Sequence, residues 1–441
     1  MNHYRINQVP VNDNGNGWNK ILPDRTPKAA LEGDIKANWV VVGAGYAGLA
    51  AARRLAENRP QDTIVLLEAD VAGENASGRN SGFAIDIPHN VSSSLEELEG
   101  SHRYMALARA AIDYHEKQIN RYQIDCDWSQ PGKYHCAVAP RAIRDVLEPV
   151  ARELEALKEP YEWIEKKDLD QRLGTSHFSG AIHTPGCRLM NPAALVRGLA
   201  DNLPDNVSLH EHSPVTEMQV GSSVVLKTEN GSVTADKLIL GVNGFAEQFG
   251  YPKRRLLGFT ANASLSRRLT ADERERLGCE EDWGVTPTNA IAAVTMRFTK
   301  DHRILIRNNI YFNPSNRENQ DFRDNIQRVH KQMFDERFPM LPEVSMEYTW
   351  SGFLCLSHNG SPGFGQLSDK VYTAICQNAV GVTKGTASGM LVADMACGED
   401  NELIGFMQSL GQPNQLPMQP FLNVGAHLRV AWERWKHRDD I

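Results

Sequence analysis

The chain has 441 residues, 41% of them hydrophobic and 23% charged, with a formal net charge of −8. That is enough apolar material for two or three domains or one elaborated α/β body, and the acidic balance offers no basic footprint for nucleic acid. Seven cysteines, odd in number and without CxxC spacing, point to a reduced intracellular protein rather than a disulfide scaffold or a zinc site.

Residues 1–37 are rich in Asn, Pro and charge and read as an N-terminal arm over the body. Their first 19 positions lack a basic segment followed by an apolar one, and no apolar window of about 18 residues follows anywhere, so the chain is expected to be cytoplasmic with no membrane span. From Trp39 an apolar strand runs into Gly43-Ala44-Gly45-Tyr46-Ala47-Gly48, a GxGxxG turn, then a helix over 49–55 and a second strand ending at Glu68 and Ala69. This is the spacing of a dinucleotide-binding βαβ unit. Gly43 allows the tight exit from the strand, Gly45 lets the backbone approach a pyrophosphate, and Gly48 lets the helix lie close to the sheet. The helix N-terminus favours phosphate, and Glu68 is placed to accept from both hydroxyls of an adenosine ribose. A 2′-phosphate would be repelled there, which argues against NADP.

Residues 73–82 are too rich in small residues to read as a helix. Helical periodicity follows over 93–123, 141–157 and 192–203. Strands are predicted at 207–209, 224–226 and 237–242, the last returning to complete the nucleotide-binding sheet at Gly244. Alternating runs at 292–299 and 303–309 read as an antiparallel hairpin. Residues 371–375 read as a strand, 377–386 as a glycine-containing loop and 387–397 as a helix.

From Trp39 to about Gly398 the residues resemble the FAD-dependent amine and amino-acid oxidases of the D-amino-acid oxidase and sarcosine oxidase type, with a texture nearest to gamma-glutamylputrescine oxidases. The carriers are the GAGYAG turn with Glu68, the run Ala76-Ser77-Gly78-Arg79-Asn80-Ser81-Gly82, the region of Val215 with Gly241 to Gly244, Trp350-Ser351-Gly352, and Gly381 to Gly389. The resemblance implies an α/β fold, with a Rossmann-like FAD-binding domain of the glutathione-reductase type and an antiparallel-sheet substrate domain inserted. The expected division gives 38–90, 185–255 and 351–400 to FAD binding, 91–184 and 256–350 to the substrate domain, and 401–441 to a C-terminal helical tail.

It also implies residue roles. Ser77, Gly78, Arg79, Asn80 and Ser81 match the loop crossing the pyrophosphate and the isoalloxazine edge, and Val215 the backbone that holds the adenine. Gly381, Val382, Thr383 and Lys384 match the turn beside the flavin pyrimidine, where positive potential stabilises the reduced ring. The family's amino-acid oxidases carry a base on the strand after the ASGRN-like loop; here the acid Asp86 stands there, tilting the reading toward a cationic amine, with capping or pairing to an arginine as its structural alternative. Arg307 and Trp350 are candidate substrate contacts, with Lys384, Asp86 and Arg79 the candidate catalytic set. Arg303 and Arg307 share one strand face, and His89 and His358 are candidate charges near the flavin. Cys355 is out of register for covalent attachment, so FAD is expected to be held non-covalently, with no metal. The implied reaction is oxidation of an amine C–N bond by hydride transfer to flavin N5, followed by imine hydrolysis, with oxygen or another electron acceptor. The alternatives are an amino-acid dehydrogenase or oxidase, or the flavin subunit of a heteromeric opine or sarcosine oxidase.

Overall fold

The computed structural model describes residues 2–11, 13, 15–88, 95–289 and 291–440. Gly33–Val42 is the central strand of a nine-stranded sheet. Its valines 40, 41 and 42 are all buried, as expected for a parallel strand covered on both faces. Ile64–Leu67 lies parallel on one side, followed by Val207–His210; Gly231–Leu240 lies parallel on the other. Gly231–Leu240 serves two further neighbours. Its last residues pair with Val371–Ile375 in parallel, while its first half pairs antiparallel with Val224–Lys227, leading through Glu217–Val220 to Asn2–Arg5 at the edge.

The helices Tyr46–Asn58 and Thr386–Cys397 lie side by side. A Cβ on Gly389 would sit 2.1 Å from the Ala47 carbonyl oxygen, so glycine permits that approach. Their N-termini are consequently brought next to one another.

A second sheet has eight strands, in the order Met346–Leu356, Leu257–Ser266, Ile304–Phe312, Thr295–Phe298, Trp283–Pro287, Lys133–Ala137, Gly180–Thr184 and Glu162–Glu165. All neighbours are antiparallel except Trp283–Pro287 with Lys133–Ala137. The predicted hairpin forms, with Phe298 opposite Ile304 and the turn tied by Thr299 to Asp301. Helix Gln320–Arg337 lays Ile326, His330 and Phe334 against one face of this sheet.

Local expectations depart from the structure where distant contacts decide. The run Ala76–Arg79 is a short helix rather than a loop, because Gly78 lets it settle on the Gly73 carbonyl and Asn16 donates to the carbonyls of Gly73 and Gly78. Gly381–Gly385 is a widened helical turn leading directly into Thr386–Cys397, not a loop. The helix predicted over 141–157 widens at Ile143–Leu147, just before Pro149, which has no N–H to donate. Met346–Leu356 runs through position 351 wholly within the second sheet, and residues 2–5 and 33–37 of the expected arm are strand in the first. The C-terminal residues form helices Glu402–Ser409 and Phe421–Lys436. None of the described helices is long and apolar enough to cross a membrane.

Candidate functional site

The strand Gly33–Val42 ends in a turn built on Gly43, whose φ of +99° suits glycine and whose Cβ would lie 2.7 Å from the Gly241 carbonyl. At Gly48 a Cβ would come within 1.7 Å of the Gly43 carbonyl, so this glycine fixes how closely helix Tyr46–Asn58 follows the strand. Gly45 is the N-cap and makes no side-chain cap; instead Ser77 Oγ, from the short helix, accepts from the Tyr46 amide at 3.1 Å. A Cβ on Gly45 would meet that hydroxyl at 2.6 Å. The turn is therefore shaped from both sides.

Glu68 is buried at the end of Ile64–Leu67 and accepts from the amides of Ala44 at 2.7 Å and Asp70 at 3.1 Å. Burial pushes its pKa up to about 7 despite those two bonds. The Ser213 amide donates to the Glu68 carbonyl at 2.8 Å, which places the buried Val215 beside the acid across a long sequence gap.

Gly43, Gly45, Glu68, Ala69, Ser77, Val215 and Gly244 all line one cavity of about 380 Å³. The space, its glycine-lined turn at the start of helix Tyr46–Asn58 and a buried acid at one end fit an adenine dinucleotide, and these residues would hold it. Its remaining wall contains residues that no motif announces: Ile6, Gln8, Val9 and Pro10 of the arm, and Phe353 and Leu354 of the second sheet. The Gln248 side chain fixes the arm here by accepting from the amides of Asn7 and Gln8.

Other expected residues lie elsewhere. Arg79 is buried, and its guanidinium donates to Asp13 at 2.6 Å and to the carbonyls of Glu74 and Ser351 at 2.5 and 3.0 Å. Asn80 offers its carbonyl to the Trp18 indole, while Ser81 and Gly82 offer theirs to the buried Arg297. Tyr46 is buried with its hydroxyl on the Pro192 carbonyl, and Ala47 faces Gly389. Trp350 is fully buried, donates to the Arg79 carbonyl at 3.0 Å and meets Trp18 edge-on, so it packs the second sheet against Trp18 and Ala193.

The turn Gly381–Gly385 lies beside the start of helix Tyr46–Asn58, with Gly385 close to Tyr46. Thr383 Oγ1 donates to the Ile85 carbonyl at 3.1 Å, and the buried His115 reaches the Val382 carbonyl and Thr386 Oγ1 through Nε2. Lys384 is buried, which pulls its pKa down to about 8 against a small opposing effect of Cys376. Next along the chain from Ile85, the buried Asp86 holds Arg109 at 3.4 Å through one carboxylate oxygen, while its other oxygen has no hydrogen-bond partner. Asp86 lines a second cavity of about 350 Å³ with Asp113, Glu159, Arg109, Arg188 and Gln130.

Arg307 is on the strand face it shares with Arg303, Leu305 and Trp350, and burial lowers its pKa to about 10. His358 is exposed, and His89 lies outside the described residues. No group of three or more potential metal ligands occurs among the described residues.

Known proteins extend this picture. The chain is 26% identical over 420 residues to the gamma-glutamylputrescine oxidoreductase of Escherichia coli (strain K12), covering 94% of this chain and 93% of that one. It is also 26% identical to a probable oxidoreductase OrdL of Haemophilus influenzae, over 83% of this chain and 84% of that one. Glycine oxidase from Geobacillus kaustophilus shares the fold, with a TM-score of 0.72 at 17% identity, covering 87% of this chain and all (100%) of that one. L-Proline dehydrogenase from P. horikoshii does so at 0.69 and 14%, over 89% and 100%. The model of the DAO family, FAD dependent oxidoreductase, matches residues 38–395, and with the glycine turn, Glu68 and the cavity they line, the chain belongs to that family of FAD-dependent oxidoreductases.

Proposed function

We propose that this chain oxidises the C–N bond of a cationic amine of the polyamine or gamma-glutamyl-amine type, with non-covalently held FAD. The observation that carries this reading is the buried Asp86. Its backbone neighbour Ile85 is hydrogen-bonded to Thr383 in the turn matched to the flavin pyrimidine, and its free carboxylate oxygen belongs to a residue lining a cavity with two further acids. Bound FAD supplies hydride acceptance from the amine-bearing carbon. Asp86 and Asp113 in this wall suit an ammonium group; Arg109 is paired with Glu159 and Asp86, and Arg188 with Glu116, so the net charge offered to the substrate is that of the remaining acid. Lys384, whose pKa burial pulls down to about 8, is still mostly protonated at pH 7 and adds positive potential at the turn. Cys355 is a poor attachment point: its thiol is buried against Cys376, whose hydrogen bond together with burial pushes its pKa well up. The 26% identity to a gamma-glutamylputrescine oxidoreductase along nearly the whole chain supports the same substrate class.

Anaerobic bleaching of the holoprotein's flavin by a panel of amines and amino acids tests the reading. Bleaching by polyamines or gamma-glutamyl amines, weakened at least about tenfold in apparent affinity by Asp86→Asn with an unchanged flavin spectrum, is expected. Bleaching by simple α-amino acids alone would overturn it.

A further inference from the structure

Helix Phe421–Lys436 docks on the second sheet through one side only. Val430 is buried with Phe259, Ile310 and Phe312, Ala426 packs beside it, and Arg434 donates to the Ile310 carbonyl. The opposite side carries Phe421, Val424, Leu428, Trp432 and Trp435, which are 74%, 55%, 65%, 44% and 65% exposed. At about 100° per residue these five fall within an arc of roughly 80°, one continuous stripe on a helix about 24 Å long. Met418, 67% exposed, extends it beyond the helix start. Scattered exposed apolar residues need no explanation, but a contiguous stripe with two tryptophans does.

The charges around the stripe identify what would cover it. From Phe421 onward the chain holds Arg429, Arg434, Lys436 and Arg438 with Glu433, Asp439 and Asp440, a small cationic excess in a protein whose formal net charge is −8; Glu433 is buried and pairs with Arg429, and Asp439 pairs with Arg438. Three of these cations lie over the exposed indoles: Arg429 and Lys436 at 4.9 and 5.0 Å from the Trp432 ring, and Arg438 at 5.3 Å from that of Trp435. Apolar side chains, interfacial tryptophans and flanking cations on a helix too short and too polar to span are the features of a helix lying in the plane of an anionic membrane surface. A second copy docked by the same face would bring these cations against their own equivalents.

We infer that helix Phe421–Lys436 is a peripheral docking element for anionic lipid bilayers, with its stripe in the headgroup layer and Arg429, Lys436 and Arg438 at lipid phosphates. The inference is independent of the amine substrate proposed above.

Flotation of the full-length holoprotein with vesicles of phosphatidylcholine, with or without roughly 30% phosphatidylglycerol, tests it. Binding to the anionic vesicles only is expected. It should fall at least about fivefold in Phe421→Ser/Leu428→Ser/Trp435→Ser and in Arg429→Glu/Lys436→Glu, and weaken with salt, as expected for cations facing anionic lipid. The substituted side chains are exposed and lie outside the nucleotide-binding cavity, so flavin content should stay unchanged. Absence of binding, or binding that the substitutions leave intact, would overturn the inference. So would a dimer in solution that the serine variant dissociates without any change in lipid binding.

Discussion

Asp13 and Arg79 are joined by an ion pair of 2.6 Å that latches the N-terminal arm to the short helix beside the glycine turn. The Asp13 carboxyl is partly buried, which alone would raise its pKa, but the hydrogen bond and charge of Arg79, helped by the Gly15 amide and Arg323, hold it below the usual carboxylate range. Removing Asp13 leaves a buried guanidinium short of its counter-charge. Asp13→Ala should cost about 3 kcal/mol in urea unfolding and expose the arm to limited proteolysis before the body. Unchanged stability and arm protection would refute the latch.

Gly45 is placed for two reasons that can be separated by mutation. Gly45→Ala should destabilise by about 1–3 kcal/mol, because the new methyl meets Ser77 Oγ at 2.6 Å. Adding Ser77→Ala should restore most of the stability. FAD affinity of the double variant should still be at least about tenfold weaker, since the methyl also keeps the pyrophosphate away. Titration of apoprotein with FAD reads the second effect and thermal unfolding the first.

Glu68 provides a pH signature for cofactor binding. Its pKa of about 7 means that acid conditions protonate the carboxyl that would accept from the ribose. FAD favouring the ionised form would release a proton on binding, so affinity should rise about tenfold between pH 6 and 8. In Glu68→Gln the profile should be flat and the affinity at pH 8 about tenfold lower. A slope that persists in the variant would assign the titration to another group.

Two buried histidines should make the protein acid-sensitive. Burial pulls His115 down to about 4 and His330 to about 3, the first opposed slightly by its bond to the Val382 carbonyl and the second reinforced by Arg307. Both are neutral when folded, whereas the unfolded chain takes up protons below about 6.5, so their contribution is complete above that pH and is lost as pH falls toward the folded values. At pH 5 the loss should be about 2 kcal/mol for each. Urea midpoints for His115→Gln and His330→Asn against the parent at pH 7 and 5 measure it, and parallel pH dependence in all three would exclude these groups.

The parts of this architecture legible in the sequence are those whose physics is local. The GxGxxG spacing, the acid ending the second strand and the two-residue alternation of the hairpin each depend on residues within one supersecondary unit. Val215 is legible only by family likeness, and the Ser213 amide ties its segment to the Glu68 carbonyl so that both line one cavity. What stayed hidden depends on long-range pairing. Ile6 to Pro10 reach the cavity only because Asn2–Arg5 pairs with Glu217–Val220, and nothing in a polar arm signals that register. Arg79 looked suited to phosphate by its chemistry, yet its donors are directed at Asp13, Glu74 and Ser351, two of them remote in sequence. Trp350 shows the same effect, since its partner Trp18 lies in a segment with no helical periodicity of its own.

The strand Gly231–Leu240 is hydrogen-bonded to Gly33–Val42, Val224–Lys227 and Val371–Ile375. During synthesis the glycine turn therefore emerges about 190 residues before its main sheet partner, and about 330 before the last strand that completes the sheet, so the nucleotide-binding half cannot close as an N-terminal module. Cofactor capture is accordingly a late event, coupled to assembly of nearly the whole chain, and C-terminal truncations ahead of Val371 should give colourless, chaperone-dependent protein instead of a smaller flavoprotein.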